Sequence, residues 1–362
     1  MTSAKVIRAL AQTVLAPLIA VVVSMIVTSV VVSISGSSVT EFWDVMLSWP
    51  SNRNWVNITN QTSMLFLAAL AAAIAFRMNL FNIGVEGQYT LAAFVASAVA
   101  GAAWLPGKAN VLLALVVAMV VGALWAGIAG VLKVTRGVSE VISTIMLNAI
   151  AGTMIGYLLN NHGDQYGQGR RTTPIPESSM MPGWAPWGAI NGQIWTLCIL
   201  AVIAGVTMSV VINRTRFGFD LRATGANEDA AIASGVKVKK MVVIAMLISG
   251  AIAGLVWMPA LFGAAGYYGP PFQHMLGFTG IAVALLGRNR PLGIFFGAVL
   301  FAWLSERANA VSLETGVSPS VVQVTQGVVV LAVVIAYEVV RRWVAAHEQR
   351  QLTSAIGEEA RA

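Results

Sequence analysis

Charge is what this chain has least of. Asp, Glu, Lys and Arg together make up 10% of its 362 residues, where a soluble domain carries about a quarter. There is one cysteine, Cys198, placed inside an apolar run, so no intrachain disulfide is possible and the residue reads as a small buried hydrophobe. The three histidines, His162, His274 and His347, are too scattered to suggest a metal set. Neither an H-E-x-x-H pair nor a G-x-S-x-G nucleophile elbow occurs. The one Gly-Lys pair, Gly107-Lys108, is followed by Ala109 instead of Ser or Thr, so there is no phosphate-cradling Walker loop. These absences lead us to expect no catalytic residue, no metal and no cofactor. The net charge of +7 does not point to nucleic acid, because Lys and Arg are scattered between apolar runs and form no patch.

What the chain does have is apolar length: 57% of it is hydrophobic. Runs near twenty residues, enough to cross about 30 Å of hydrocarbon as helix, recur from Leu15 to Val340. The expected fold is all-α, a polytopic transmembrane helical bundle. Spans are predicted near 12–34, 61–80, 85–103, 111–131, 138–160, 194–213, 241–262, 272–287, 291–308 and 320–340. About ten spans put both termini on one side. The apolar run after Lys5 and Arg8 exceeds the roughly 7–15 residues of a signal-peptide core, so it reads as an uncleaved first span. One membrane domain is expected over 1–340, then a short polar tail, 341–362, with no soluble domain at either end. Placing the N-terminus inside leaves only Arg53, Lys108, Arg170, Arg171 and Arg307 outside, which agrees with cytoplasmic termini. Trp43, Trp49, Trp55, Trp104, Trp184, Trp187 and Trp195 then fall at outer ends or loops. In the outer segment 35–60, EFWDVMLSW reads as a short amphipathic helix, and the outer loop 161–192 as an ordered cap.

Several polar groups interrupt this pattern. The stretch FNIGVEGQ, residues 81–88, puts Asn82, Glu86 and Gln88 beside Gly84 and Gly87 between two apolar runs. Two glycines permit a helix break, and a break at membrane depth is tolerated where it faces protein or a watery path. The three polar residues are therefore candidate pathway groups; the competing reading is an ordinary inner turn with Glu86 at a helix N-terminus. Glu140, Thr144, Asn148, Gly152 and Gly156 recur every fourth residue and form one helical stripe, either lining a path or joining helices. Gly250 and Gly254 read as a packing pair. Phe272, Gln273, Phe278, Thr279 and Gly280 offer aromatic faces to a flat ring, or simply pack. Gln323 and Gln326, with Thr325 between them, have the same two readings. Glu306 and Arg307 sit near the outer end of the ninth span and Glu338 near the inner end of the tenth, so no acidic relay of a proton-driven carrier is evident. The inner loop 214–240 is the longest cytoplasmic connection. Within it Asn227 reads as an N-cap, Glu228 and Asp229 suit the first turn, and a short helix should end at Gly235. That stub is either a solvated connector or a docking element for a groove on a partner.

Four stretches in order, FNIGVEGQ, SEVISTIMLN, RATGANEDAAIASGV and GFTGIAVALLGRNRPLG, resemble the membrane-spanning permease subunit of ATP-binding-cassette importers. The resemblance runs from about residue 60 to 340 and is strongest to the nucleoside branch, with simple-sugar permeases of the ribose and galactose type second. It implies that 223–236 is the coupling helix contacting an ATPase subunit, with Asn227, Glu228, Ala231 and Gly235 as the carried-over positions. It also implies a second permease subunit, usually a different chain, an extracytoplasmic solute-binding protein and a bacterial inner membrane. A self-contained secondary transporter and a membrane scaffold are the readings from other classes.

Overall fold

The computed structural model describes residues 16–270 and 272–315, and a subset of the positions from 317 to 342. Lys5, Arg8, Thr325, Glu338 and almost all of the polar tail 341–362 lie outside the described residues. The chain runs through α1 (Ala16–Ile34), α2 (Val39–Leu47), α3 (Asn52–Phe76), α4 (Val85–Gly101), α5 (Gly107–Arg136) and α6 (Glu140–His162). A small antiparallel hairpin follows, β1 (Asp164–Tyr166) and β2 (Gly169–Arg171), with Tyr166 opposite Gly169. Then come α7 (Ile199–Arg214), α8 (Arg216–Ala226), α9 (Glu228–Ala233) and α10 (Val238–Gly254). Beyond α10 lie a short helical turn, Met258–Ala260, and a π-helical turn, Leu261–Ala265. α11 (Leu276–Leu286) and α12 (Pro291–Thr315) complete the continuous part, and the described positions between 320 and 342 are helical.

Among the described residues, six helices are long and apolar enough to cross a membrane: Asn52–Phe76, Gly107–Arg136, Glu140–His162, Thr196–Arg214, Val238–Ala265 and Pro291–Thr315. Val22–Ile34 and Leu276–Leu286 are shorter apolar helices. The protein is a multi-pass helical membrane protein. The largest departures from the expected boundaries are at α3 and α12. α3 begins at Asn52, not near 61, because Ser51 caps it and the buried Asn60 finds main-chain partners at Gln193 and Trp195. α12 runs on to Thr315.

The chain divides into two compact units, Pro50–Trp303, and Met1–Trp49 with Leu304–Ala362. In the larger unit α3 is the central helix, with 89% of its most apolar window buried. Its interior turns are largely alanine, Ala68, Ala69 and Ala71–Ala73, so neighbours approach closely. α5 and α10 pack through glycine: a Cβ on Gly122 would lie 2.2 Å from the Gly250 carbonyl, and one on Gly254 2.1 Å from the Ala118 carbonyl. Gly250 and Gly254 are therefore a packing pair, as their spacing suggests. The outward face of α5 carries Leu112, Val116, Val120, Leu124 and Ile128 every fourth residue, all exposed. Such a stripe would be a liability in water and is ordinary against lipid.

The loop over 161–192 is ordered by main-chain bonds from Thr172, Ile175 and Met181 to the carbonyls of Tyr268, Gly266 and Phe262. In the smaller unit the amphipathic segment forms α2, capped by Ser38 and burying Phe42 and Met46 against Val32 and Val311. The buried Arg307 donates to the Val45 carbonyl and to Ser48 Oγ, which places its charge at the C-terminal end of α2.

Candidate functional site

Two regions carry the predicted residues of the larger unit. The first is the break between α3 and α4. Here Asn82 and Gln88 are fully buried and face each other: Asn82 Nδ2 donates to Gln88 Oε1 at 3.0 Å and Gln88 Nε2 to Asn82 Oδ1 at 2.8 Å. Asn82 also donates to Ser249 Oγ and accepts from the Gly84 N–H. The hydrogen-bonding capacity of Asn82 is filled from within the protein, and the amide of Gln88 is paired with it. Burial in a low-dielectric interior requires such pairing.

Glu86 takes the helix-terminus position, one of the two readings made of it. It sits in the first turn of α4 and reaches across to α11, whose own N-cap, Met275, supplies no side-chain bond. Glu86 Oε1 accepts from the Met275 N–H at 2.7 Å and Oε2 from the Gly277 N–H at 2.9 Å, while Tyr89 Oη donates to Oε1. One carboxylate thus satisfies orphan donors at the start of a distant helix and lies at the positive end of two helix dipoles. The contact is close: a Cβ on Gly277 would lie 2.4 Å from the Glu86 nitrogen.

The stripe on α6 divides in function along its length. Glu140 forms a salt bridge with Lys133 and accepts from the Phe81 N–H, and Thr144 is buried and bonded to the Glu140 carbonyl of its own helix. Both side chains bond within the protein. Asn148 Oδ1 accepts from the Gly87 N–H at 2.8 Å and Nδ2 donates to the Ile83 carbonyl at 2.9 Å, clamping both sides of the break. Gly152 and Gly156 have open space beside them.

That open space belongs to a groove of about 400 Å³, bordered by Glu86, Thr90, Asn148, Tyr268, Phe272 and His274 among others. Of the predicted pathway residues it brings together Glu86 and Asn148. Phe272 is its aromatic wall, stacked on Tyr89 with centroids 5.6 Å apart and planes at 19°. Phe278 is exposed elsewhere on α11 and Thr279 donates back to the Met275 carbonyl, so neither borders the groove. Tyr268, His274 and Arg170 were missed; the Gly-Pro-Pro run beside them, residues 269–271, was the available sign of an irregular backbone. In the smaller unit Gln323 is exposed and Gln326 donates to Ser305 Oγ at 3.0 Å, a helix-joining contact.

The second region is the 214–240 loop. Asn227 caps α9, its Oδ1 accepting from the Ala230 N–H at 2.9 Å. Glu228 and Asp229 occupy the first turn, exposed, and Ala231 is buried beneath them. The helix closes where Gly235 takes φ +84° and the Val236 N–H returns to the Ala231 carbonyl, a glycine-dependent C-terminal stop. Sequence reading missed α8, which Thr215 starts by accepting from the Gly218 N–H. α8, α9 and the start of α10 enclose an open groove of about 780 Å³, with the exposed Phe219 on its rim and Ala223, Asn227, Ala230 and Lys240 along it.

A family described as branched-chain amino acid transport system / permease component matches residues 54–336. The chain belongs to this family. The permease is 34% identical to the guanosine ABC transporter permease protein NupP of Bacillus subtilis, covering 90% of this chain and 94% of that one. It is 30% identical to the nucleoside ABC transporter permease protein NupB of Lactococcus lactis, covering 90% and 91%. A glucose ABC transporter permease protein of Haloferax volcanii is 31% identical over 74% of this chain and 72% of its own. The permease is thus a transport component, not a catalytic one.

Proposed function

We propose that this permease carries nucleosides into a bacterial cell across the cytoplasmic membrane, powered by a separate ATPase. The observation that supports this most is likeness along nine-tenths of the chain to two permeases named for nucleosides or guanosine. In this reading the chain makes ten spans with cytoplasmic termini, pairs with a second, different permease subunit and receives solute from an extracytoplasmic binding protein. The ATPase docks on the groove between α8 and α9, where Asn227, Glu228, Ala231 and Gly235 form and present the stub. The solute passes the 400 Å³ groove, where Phe272, Tyr268 and His274 offer faces to a base and Glu86 and Asn148 hold the walls in place. An uncharged polar solute suits such a lining.

The glucose relative supports simple sugars as the second reading. The test is uptake into proteoliposomes carrying the full complex with binding protein and ATPase. ATP-dependent accumulation of labelled guanosine, resistant to excess ribose and glucose, is expected. Sugar-sensitive uptake favours the second reading, and gradient-driven uptake by the permease alone overturns both.

A further inference from the structure

A second groove, of about 480 Å³, lies away from the first, between α3, α7 and the start of α12. Its walls are almost wholly apolar, with Phe66, Val202, Val206, Leu292 and Phe295 prominent. Val202 and Val206 are about 60% exposed, on a helix whose Ile199, Ile203 and Val210 are exposed as well. Along α7 the groove runs from Cys198 to Ser209, about 16 Å at 1.5 Å per residue. That is about half the hydrocarbon thickness, the depth of one leaflet.

At one end both walls lead into arginines. Arg222 donates to the Ile212 carbonyl, one turn beyond Ser209, and Arg290 immediately precedes Pro291. Arg77 donates to the Asn289 carbonyl through Nε at 3.1 Å and Nη2 at 2.7 Å. Arg77 and Arg222 thus bond main-chain carbonyls. The Arg77 guanidinium is held below its usual range first by burial and then by the positive charges of Arg222 and Arg290. Three cations, none of them in the groove's lining, thus gather just beyond its Ser209 and Pro291 end.

We infer that this groove binds an anionic phospholipid, its acyl chain lying along α7 and its phosphate among Arg222, Arg290 and Arg77. A helix filling the slot would bring only the partial negative charge of its C-terminus to that end, whereas a phospholipid supplies an apolar chain and a full negative charge together. In the orientation proposed above the arginines face the cytoplasmic leaflet, which carries the acidic lipids. The inference needs only that the chain spans a membrane, and it stands whichever solute is carried.

Native mass spectrometry of the full-length permease, released from nanodiscs of phosphatidylglycerol or phosphatidylcholine, tests it. Wild type should retain phosphatidylglycerol preferentially. Arg290→Gln, an exposed change, should lower that retention about fivefold. Val206→Trp, which fills the slot and leaves the charges alone, should lower it at unchanged melting temperature. Equal retention of the two lipids, no effect of either substitution, or displacement of the lipid by millimolar inorganic phosphate would overturn the assignment. So would a Val202→Cys crosslink, in a Cys198→Ser background, that captures a second polypeptide in place of lipid.

Discussion

The turn at residues 77–88 and the stub at 227–235 are both short polar interruptions between apolar helices, and they use polarity in opposite ways. In the turn the side-chain amides of Asn82 and Gln88, and that of Asn148 reaching in from α6, are occupied within the protein. In the stub Asn227 and Ser234 bond the backbone of the short helix, and Glu228 and Asp229 face outward. A buried amide without a partner costs about 1–3 kcal/mol, so polar residues in a membrane interior are first of all obliged to satisfy one another. An exposed carboxylate has no such obligation and remains available to a partner. Polarity at depth therefore reports architecture, and polarity at the rim reports encounter.

Glu86 offers the largest test of that contrast. Glu86→Leu removes the acceptor for two main-chain donors of α11 and for Tyr89, and hydrogen bonds to a charged group contribute about 1.5–3 kcal/mol each. The expected outcome is a loss of several kcal/mol, read as a large fall in melting temperature in detergent and poor recovery of folded permease. Glu86→Gln, which keeps one acceptor oxygen, should fall between. A Glu86→Leu protein as stable as wild type would return Glu86 to the status of a free pathway group.

Asn82→Leu comes next, with an expected loss of about 2 kcal/mol, because it also strands the Gln88 amide. Combining it with Gln88→Leu should cost less than the two single changes added together, since neither partner is then orphaned. Strict additivity in that thermal double-mutant cycle would show that the amides do not depend on each other.

The same contrast explains how much could be read from the sequence. The stub was legible because its determinants are local: Asn227 to Ala230 at the start, Ala231 to Val236 at the stop. That the chain breaks just before α4 was legible too, at Gly84 although not at Gly87, which lies inside the helix, and so was the packing role of Gly250 and Gly254. What Glu86 does was not, because its partners at Met275 and Gly277 lie 189 and 191 residues away. α8 escaped for a related reason. Its run RFGFDLRATG carries two glycines, which weaken a helix, yet the fold requires both. A Cβ on Gly218 would lie 2.2 Å from the Val211 carbonyl, and one on Gly225 2.0 Å from that of Arg77. Tertiary contact there overrides local propensity.

On the stub side the expected effects are smaller and local. Gly235→Ala forces a side chain into a left-handed backbone at φ +84°, at a cost of about 1 kcal/mol. Hydrogen exchange over 228–236 should speed up several-fold while the rest of the chain keeps its protection. Slowed exchange in that segment, or a global loss of protection, would mean that the stub is not the separable element its caps describe.

The smallest effect on stability, and the sharpest on function, belongs to Glu228→Lys. The side chain is exposed and its loss weakens only a dipole interaction, about 0.5 kcal/mol. If the α8–α9 groove receives the ATPase, reversing the charge at its edge should lower ATP-coupled uptake strongly while insertion and melting temperature stay near wild type. Glu86→Gln should show the reverse order, losing stability before coupling. Measuring both quantities on both variants separates a residue that builds the break from one that meets a partner. Identical profiles for the two would erase the distinction between the turn and the stub.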